Sequence, residues 1–346
     1  MTTQAGTIIA RRAALGMLGA LAATSALAQP RPSNVVALPT AAPLVRPEEA
    51  GFSSERLARI RPAIEREVTE GRLPGAVMMV ARRGKLAYAE AIGFRDRQNS
   101  VAMTPDSVFR LYSMTKPMAS VAAMMLVEDG RIGLADPVAK FLPGFDKLQV
   151  STGGGETVAA ERTMRVYDLL RHTSGLAYGE LTANAPVRDA YIRVGLRTPG
   201  ADYESRSLSP EAFVQGLATA PLARQPGTTW EYGVSVDVLG RVVEAVSGQR
   251  LEVFMDERLF RPLHMSDSGF SLRDEAQGRR LALHSGVDPA ANNAPVSMID
   301  VSKPPGNASG GAGAIGTATD YMRFGQMLLN GGELDGCASW RLPQCG

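Results

Sequence analysis

At 346 residues, with 45% hydrophobic and 21% charged side chains, the chain has the composition of an ordinary globular protein, long enough for one large core or two small ones. Its formal charge of +2 resides in Arg11 and Arg12; without them 35 basic residues face 35 acidic ones. No run of Lys or Arg exceeds a pair, which leaves no basic patch for a nucleic-acid partner.

Arg11-Arg12 precede an uncharged apolar run from Ala13 to Leu27, closed by the small residues of Ala26-Leu27-Ala28. That order predicts a signal peptide over residues 1–28, too short to span a bilayer, and the paired arginines fit a twin-arginine export signal. A general secretory signal or an uncleaved anchor is the alternative. Export predicts a periplasmic or secreted protein with no stable membrane insertion after cleavage. Residues 29–46, interrupted by Pro30, Pro32, Pro39 and Pro43, read as a linker, and one folded domain is expected over 47–346.

Ser53 or Ser54 caps a predicted helix whose apolar face is Leu57, Ile60, Ile64 and Val68, ended by Gly71 and Pro74. Ala76–Ala81 and Leu86–Ile92 flank the turn Arg82-Arg83-Gly84-Lys85 and predict an antiparallel hairpin. From about 104 to 263 the chain turns to helical segments separated by long Gly-, Pro-, Asp- and Ser-rich loops, the texture of an inserted helical lobe. After a glycine-rich stretch from Gly306 to Gly316, Thr317 caps a helix with Asp320 in its first turn. Its expected buried face is Tyr321, Phe324 and Leu328, and Gly331-Gly332 stop it. Together these elements predict an α/β (α+β) fold, an antiparallel sheet flanked by helices plus the helical lobe.

The chemistry-bearing segment reads Phe109-Arg-Leu-Tyr-Ser113-Met-Thr-Lys116-Pro117, followed by apolar Met118, Val121, Ala122, Met125 and Leu126. Pro117 is tolerable only in a first turn, so it fixes a helix start near Ser113. Residues three apart share a helix face, which puts Ser113 and Lys116 within reach of each other. Desolvation and the helix dipole favour a neutral lysine able to take the serine proton, and the Ser113 N–H is placed to bind an oxyanion. On spacing alone, a capping serine followed by an exposed lysine is the commoner explanation of Ser-x-x-Lys.

Cys337 and Cys345 fall in the last ten residues, where a local disulfide is the most they could form. His264 and His284 have no carboxylate or cysteine at metal-ligand spacing, so no metal or organic cofactor is expected. His172 reads as a helix C-terminal residue suited to the dipole. No Gly-x-Ser-x-Gly elbow is present, which disfavours an α/β-hydrolase.

The ordered strings Ser113-Met-Thr-Lys116-Pro, Leu169-Leu-Arg-His172-Thr-Ser174-Gly175-Leu176 and Trp230-Glu-Tyr232-Gly-Val-Ser235 resemble the serine β-lactamase and penicillin-binding-protein superfamily, and most of all the class C-related family VIII carboxylesterases. The likeness runs from about Pro47 to Gly336. It implies a β-lactamase/transpeptidase-like fold and a catalytic set of Ser113 as nucleophile with Lys116 and Tyr232 jointly as the base system; His172 lies outside that set.

Two departures qualify the resemblance. Related lactamases carry an asparagine two residues after the tyrosine, where this chain has Val234, so an ester is easier to accommodate than a substrate with an amide side chain. The family's third element, a Lys-Thr-Gly, His-x-Gly or Trp-Gly-Gly on a sheet strand, has no counterpart, and the residues after Gly336 differ from the family's continuation. C-terminal strands, and with them an oxyanion donor, are therefore expected to be missing through truncation, with a loss of activity or folding. The expected function is hydrolysis of short-chain carboxylic esters or another small ester or amide through an acyl-serine. A β-lactamase, D-amino-acid peptidase or acyltransferase, and a non-catalytic penicillin-binding-like protein or pseudoenzyme, are the alternatives.

Overall fold

The computed structural model describes residues 44–197, 207–283, 287–288, 294–295 and 298–338. The expected signal peptide, most of the expected linker, His284 and Cys345 lie outside the described residues. Where the linker is described it already joins the fold: the Val45 N–H donates to Leu86 O at 2.9 Å.

Helix α1 (Ser54–Leu57) begins where Ser53 Oγ accepts the Arg56 N–H at 3.3 Å, and α2 covers Ile60–Thr69. The sequence predicts one helix here. Pro62 has no N–H to offer the Ala58 carbonyl, and Ala58 and Arg59 form a turn that divides the two. Strands β1 (Gly75–Arg82) and β2 (Lys85–Asp96) pair antiparallel from Gly75↔Gly93 to Arg82↔Lys85. Their two-residue turn, Arg83-Gly84, has φ of 53° and 71°, the primed geometry that matches strand twist. Strand β3 (Val101–Ala102) adds to β2 through Phe94↔Ala102. Strand β4 (Phe109–Arg110) leads to a single 3₁₀ turn, Tyr112–Met114, and then to α3 (Thr115–Glu128).

Helices dominate the range 104–263, but strands occur there as well: besides β4, β5 (Gln149–Ser151) and β6 (Thr157–Ala159) form an antiparallel pair. Then come α4 (Val166–Arg171), α5 (Ala185–Arg193), α6 (Pro210–Thr219), α7 (Ser235–Ser247) and α8 (Leu251–Met255). Beyond them lie α9 (Glu275–Arg279), the paired β7 (Val287–Asp288) and β8 (Ala294–Pro295), and β9 (Ile315–Gly316). The last described elements are α10 (Ala318–Leu329) and the paired β10 (Glu333–Leu334) and β11 (Cys337–Ala338). Among the described residues the largest sheet is the antiparallel β1-β2-β3, with α2 packed on β2 and α10 on β1.

The main core is built around α3, which packs along α7 and buries Met118, Ala119, Ala122, Ala123, Met125 and Leu126 completely. Full burial of such side chains supplies about 1.5–3 kcal/mol each for the larger ones. Among the described residues no helix is long and apolar enough to cross a membrane.

Helix α10 starts as expected, with Thr317 Oγ1 accepting the Asp320 N–H at 3.2 Å, but its buried face is different. Leu328 is 41% exposed, whereas Asp320, Arg323, Phe324 and Met327 are buried. Two ionisable residues sit on that stripe because each is satisfied. Asp320 accepts from the Asp267 N–H and Ser268 Oγ at 2.8 and 2.9 Å, and Arg323 donates to Leu263 O and pairs with Asp335. An apolar periodicity cannot register such positions.

Candidate active site

Four segments that are far apart in sequence meet at the start of α3. The first is the nucleophile segment itself, held by β4 pairing with β9: the Leu111 N–H donates to Ala314 O at 2.8 Å and the Ala314 N–H to Thr115 Oγ1 at 3.1 Å. Tyr112, immediately before the serine, has φ of +43°, a conformation that costs a bulky residue about 1–3 kcal/mol. It is pinned by its hydroxyl, which accepts the Ile299 N–H at 3.4 Å. Ser113 is exposed and lies in the 3₁₀ turn rather than in α3 as the sequence predicts. The turn's own bonds run from the Met114 N–H to Leu111 O and from the Thr115 N–H to Tyr112 O, so neither consumes the Ser113 N–H. Lys116, in the first turn of α3, is 9% exposed.

The second segment follows α4. Asp168, fully buried, accepts both terminal nitrogens of Arg162 at 2.8 Å, the Arg165 N–H at 2.9 Å and Thr173 Oγ1 at 2.9 Å. Burial alone would raise its pKa, but the bonds from Arg162, Arg165 and Thr173 together leave it lowered. This anchor sets the end of α4, where His172 adopts φ of 55°, and the chain continues through Ser174 to Tyr178. The third segment is Trp230–Ser235, running into α7. Ser174 Oγ and Ser235 Oγ, both buried, lie 2.8 Å apart, and the Tyr178 N–H donates to Tyr232 O at 3.3 Å. The strands of chain approach so closely that a Cβ on Gly233 would stand 2.5 Å from Leu176 O. The fourth segment is the glycine-rich run, which brings the Gly311 carbonyl to the site.

The three residues read from the sequence are brought together. Ser113 Oγ lies 2.7 Å from Tyr232 Oη, and Lys116 Nζ donates to Ser113 Oγ at 3.2 Å. Two partners that sequence reasoning missed complete the cluster: Lys116 Nζ also donates to Tyr178 Oη at 3.0 Å and to Gly311 O at 2.9 Å. Of these partners only the Gly311 carbonyl must accept; the Ser113 and Tyr178 hydroxyls can also donate, so an ammonium gives three bonds here and a neutral amine gives two and accepts one.

The tyrosines diverge in acidity. Burial pulls the Tyr232 phenol upward, but the nearby Lys116 and the Ser113 hydroxyl outweigh it, and the net shift is downward. Tyr178 goes the other way, raised by burial, then by the nearby Asp237 and Tyr232, so it stays a neutral phenol. Such a divided pair is what acid–base chemistry at one site requires.

His172 stands at the C-terminal end of α4 as expected, but without the charge that would suit the dipole. Burial, then the Lys116 charge, lowers its pKa to about 4, so the ring is neutral at pH 7 and packs 5.0 Å from the Tyr232 ring. Trp230 stacks on Tyr232 at 5.8 Å with 64% of its surface exposed. Val234 is buried in the core at the start of α7. Among the described residues no cluster of His, Cys, Asp or Glu has the makings of a metal site.

A serine, lysine and tyrosine converging at the mouth of a buried helix, beside an antiparallel sheet, define the serine-dependent class of proteins built on the β-lactamase fold. The sequence profile of the Beta-lactamase family matches residues 60–342, and the chain belongs to that family. It is 37% identical over 276 residues to Protein Rv1367c of Mycobacterium tuberculosis, covering 78% of this chain and 66% of that protein. It is 34% identical over 280 residues to esterase EstB of Burkholderia gladioli, covering 77% of this chain and 68% of the esterase. Among solved structures it superposes on EstCE1, described as a hydrolase with promiscuous acyltransferase activity, with a TM-score of 0.68 and 29% identity over 80% of this chain and 73% of EstCE1. The chain thus spans just under two thirds of the mycobacterial relative's length.

Proposed function

We propose that this protein is a serine hydrolase that cleaves short-chain carboxylic esters through an acyl-Ser113 intermediate. The observation that carries the reading is the 2.7 Å contact between Ser113 Oγ and Tyr232 Oη with Lys116 Nζ 3.2 Å from the same serine oxygen. Tyr232, as phenolate, takes the Ser113 proton while Oγ forms its bond to the ester carbonyl carbon. The carbonyl π pair moves to oxygen, where the Ser113 N–H is available to receive it. Collapse expels the alkoxide, which takes the proton from the Tyr232 phenol and leaves as the alcohol. Water then repeats the sequence on the acyl-enzyme and releases the carboxylic acid. Lys116 keeps the charge balanced throughout, and the neutral phenol of Tyr178 orients it.

Ester rather than β-lactam specificity is supported by Val234, whose buried isopropyl group offers no hydrogen bond to an amide side chain. The name of EstB points the same way. Acyl transfer to an alcohol is the second reading, favoured by the EstCE1 description, because an alcohol can replace water at the same acyl-enzyme. The proposal includes export, through Arg11-Arg12 and the apolar run after them.

The test is turnover of p-nitrophenyl butyrate beside a chromogenic cephalosporin, for the wild type and Ser113→Ala, with and without an added short alcohol. Ester turnover abolished by Ser113→Ala is the expected result; cephalosporin turnover without ester turnover overturns it. A butyrate ester of the added alcohol would establish transfer.

A further inference from the structure

Asp237 stands in the first turn of α7, 2% exposed, and the mechanism above does not use it. Its Oδ1 accepts Ser309 Oγ at 2.5 Å and the Gly311 N–H at 3.1 Å, while its Oδ2 is buried with no hydrogen-bond partner. The same Gly311 whose N–H meets this carboxylate presents its carbonyl to Lys116 Nζ at 2.9 Å. One residue therefore joins a buried carboxyl group to the buried amine of the site. There is no slack in the joint: a Cβ on Gly311 would stand 2.3 Å from Asp237 Oδ2 and 3.0 Å from Tyr178 Oη.

We propose that Asp237 is a positioning residue that, acting through Gly311, holds Lys116 in place and in its charged form, so that Tyr232 rather than Lys116 is left to accept the serine proton. This rests on the catalytic reading above and deepens it. An isolated buried carboxylate is costly, and a lysine ammonium behind the glycine is the compensating charge that the site supplies. The groups facing Lys116 are Ser113, Tyr178, Tyr232, the neutral His172 ring and the Gly311 carbonyl. Those facing Asp237 are Ser309, Gly311 and, through its field, Tyr178 and Tyr232; Arg241, one turn along α7, is directed to Glu244 and the Ala308 carbonyl. After burial, the Asp237 charge is among the influences that raise Tyr178, and it opposes the lowering of Tyr232, so its field reaches both tyrosines that border Lys116.

The sign of the expected effect does not depend on how Lys116 and Tyr232 share their protons. Removing a nearby negative charge makes every proton of the pair easier to lose. The measurement is the titration of Lys116 in the full chain, followed by NMR of lysine labelled with ¹³C at Cε. It is made in wild type, Asp237→Asn, Asp237→Ser and Ser309→Ala. Both neutral replacements keep an acceptor for Ser309, and the smaller one guards against misfolding of the amide. The first step sensed by Lys116 moves to lower pH by about half a unit or more in both, and does not move down in Ser309→Ala, which keeps the carboxylate. An unchanged titration in the Asp237 variants overturns the proposal. So does an equal shift in Ser309→Ala, which would mark a displaced loop rather than a lost charge. The readout needs no turnover, so failure of the hydrolase reading, seen as an inert Ser113, is recognised separately.

Discussion

The tyrosine at 232 differs from Tyr178 less in position than in what surrounds its oxygen. Both rings border Lys116, yet one phenol is lowered and the other raised: at Tyr232 the nearby Lys116 and the Ser113 hydroxyl outweigh burial, whereas at Tyr178 deeper burial, then Asp237 and Tyr232, prevails. If Tyr232 is the base, activity requires its phenolate. A lowered phenol pKa means that kcat/KM rises with pH along a limb whose midpoint falls below the ordinary tyrosine value of about 10. Tyr232→Phe removes that limb and lowers kcat about 10²- to 10⁴-fold, with KM nearly unchanged. Initial rates on a nitrophenyl ester between pH 5 and 10 check both; a Phe variant that retains the limb would assign it to another group.

Among the elements, short α4 matters more than its six residues imply, because its buried Asp168 fixes the loop that carries His172 and Tyr178 to the site. Asp168→Ala strands Arg162 and leaves the Arg165 N–H and Thr173 unpaired. With Arg162 34% exposed and able to rehydrate, the cost is about 3 kcal/mol, read from urea unfolding. The helix starts at Ser53, near Ser113 and at Thr317 were legible from sequence, since caps and a first-turn proline are local signals. The break at Ala58-Arg59, where Pro62 four residues on from Ala58 has no N–H to offer, is equally local, but the apolar spacing of Leu57, Ile60, Ile64 and Val68 runs straight through it. The faces of α7 and α10 were harder. Asp237, Asp320 and Arg323 occupy buried positions where a hydrophobic pattern expects none, and only contacts from distant segments satisfy them. A charged residue on an otherwise apolar stripe is the signal that would have found Asp237. Tyr178 carried a weaker one, following the His172 string by two residues.

Across the whole molecule, the sheet hairpin and the central α3 followed from periodicity, whereas the way four segments close on Lys116 did not, because its partners are 62 and 195 residues away. That closure has a practical outcome. The chain has only five lysines, and Lys85, Lys140, Lys147 and Lys303 are exposed while Lys116 is buried and bonded to three acceptors. An N-hydroxysuccinimide ester at neutral pH should therefore acylate the four surface amines, besides the N-terminus, and spare Lys116, as peptide mass mapping would show. The same asymmetry means that the protein can be tethered to an amine-reactive support through residues outside the Ser113 cluster, with the one amine the chemistry depends on left untouched.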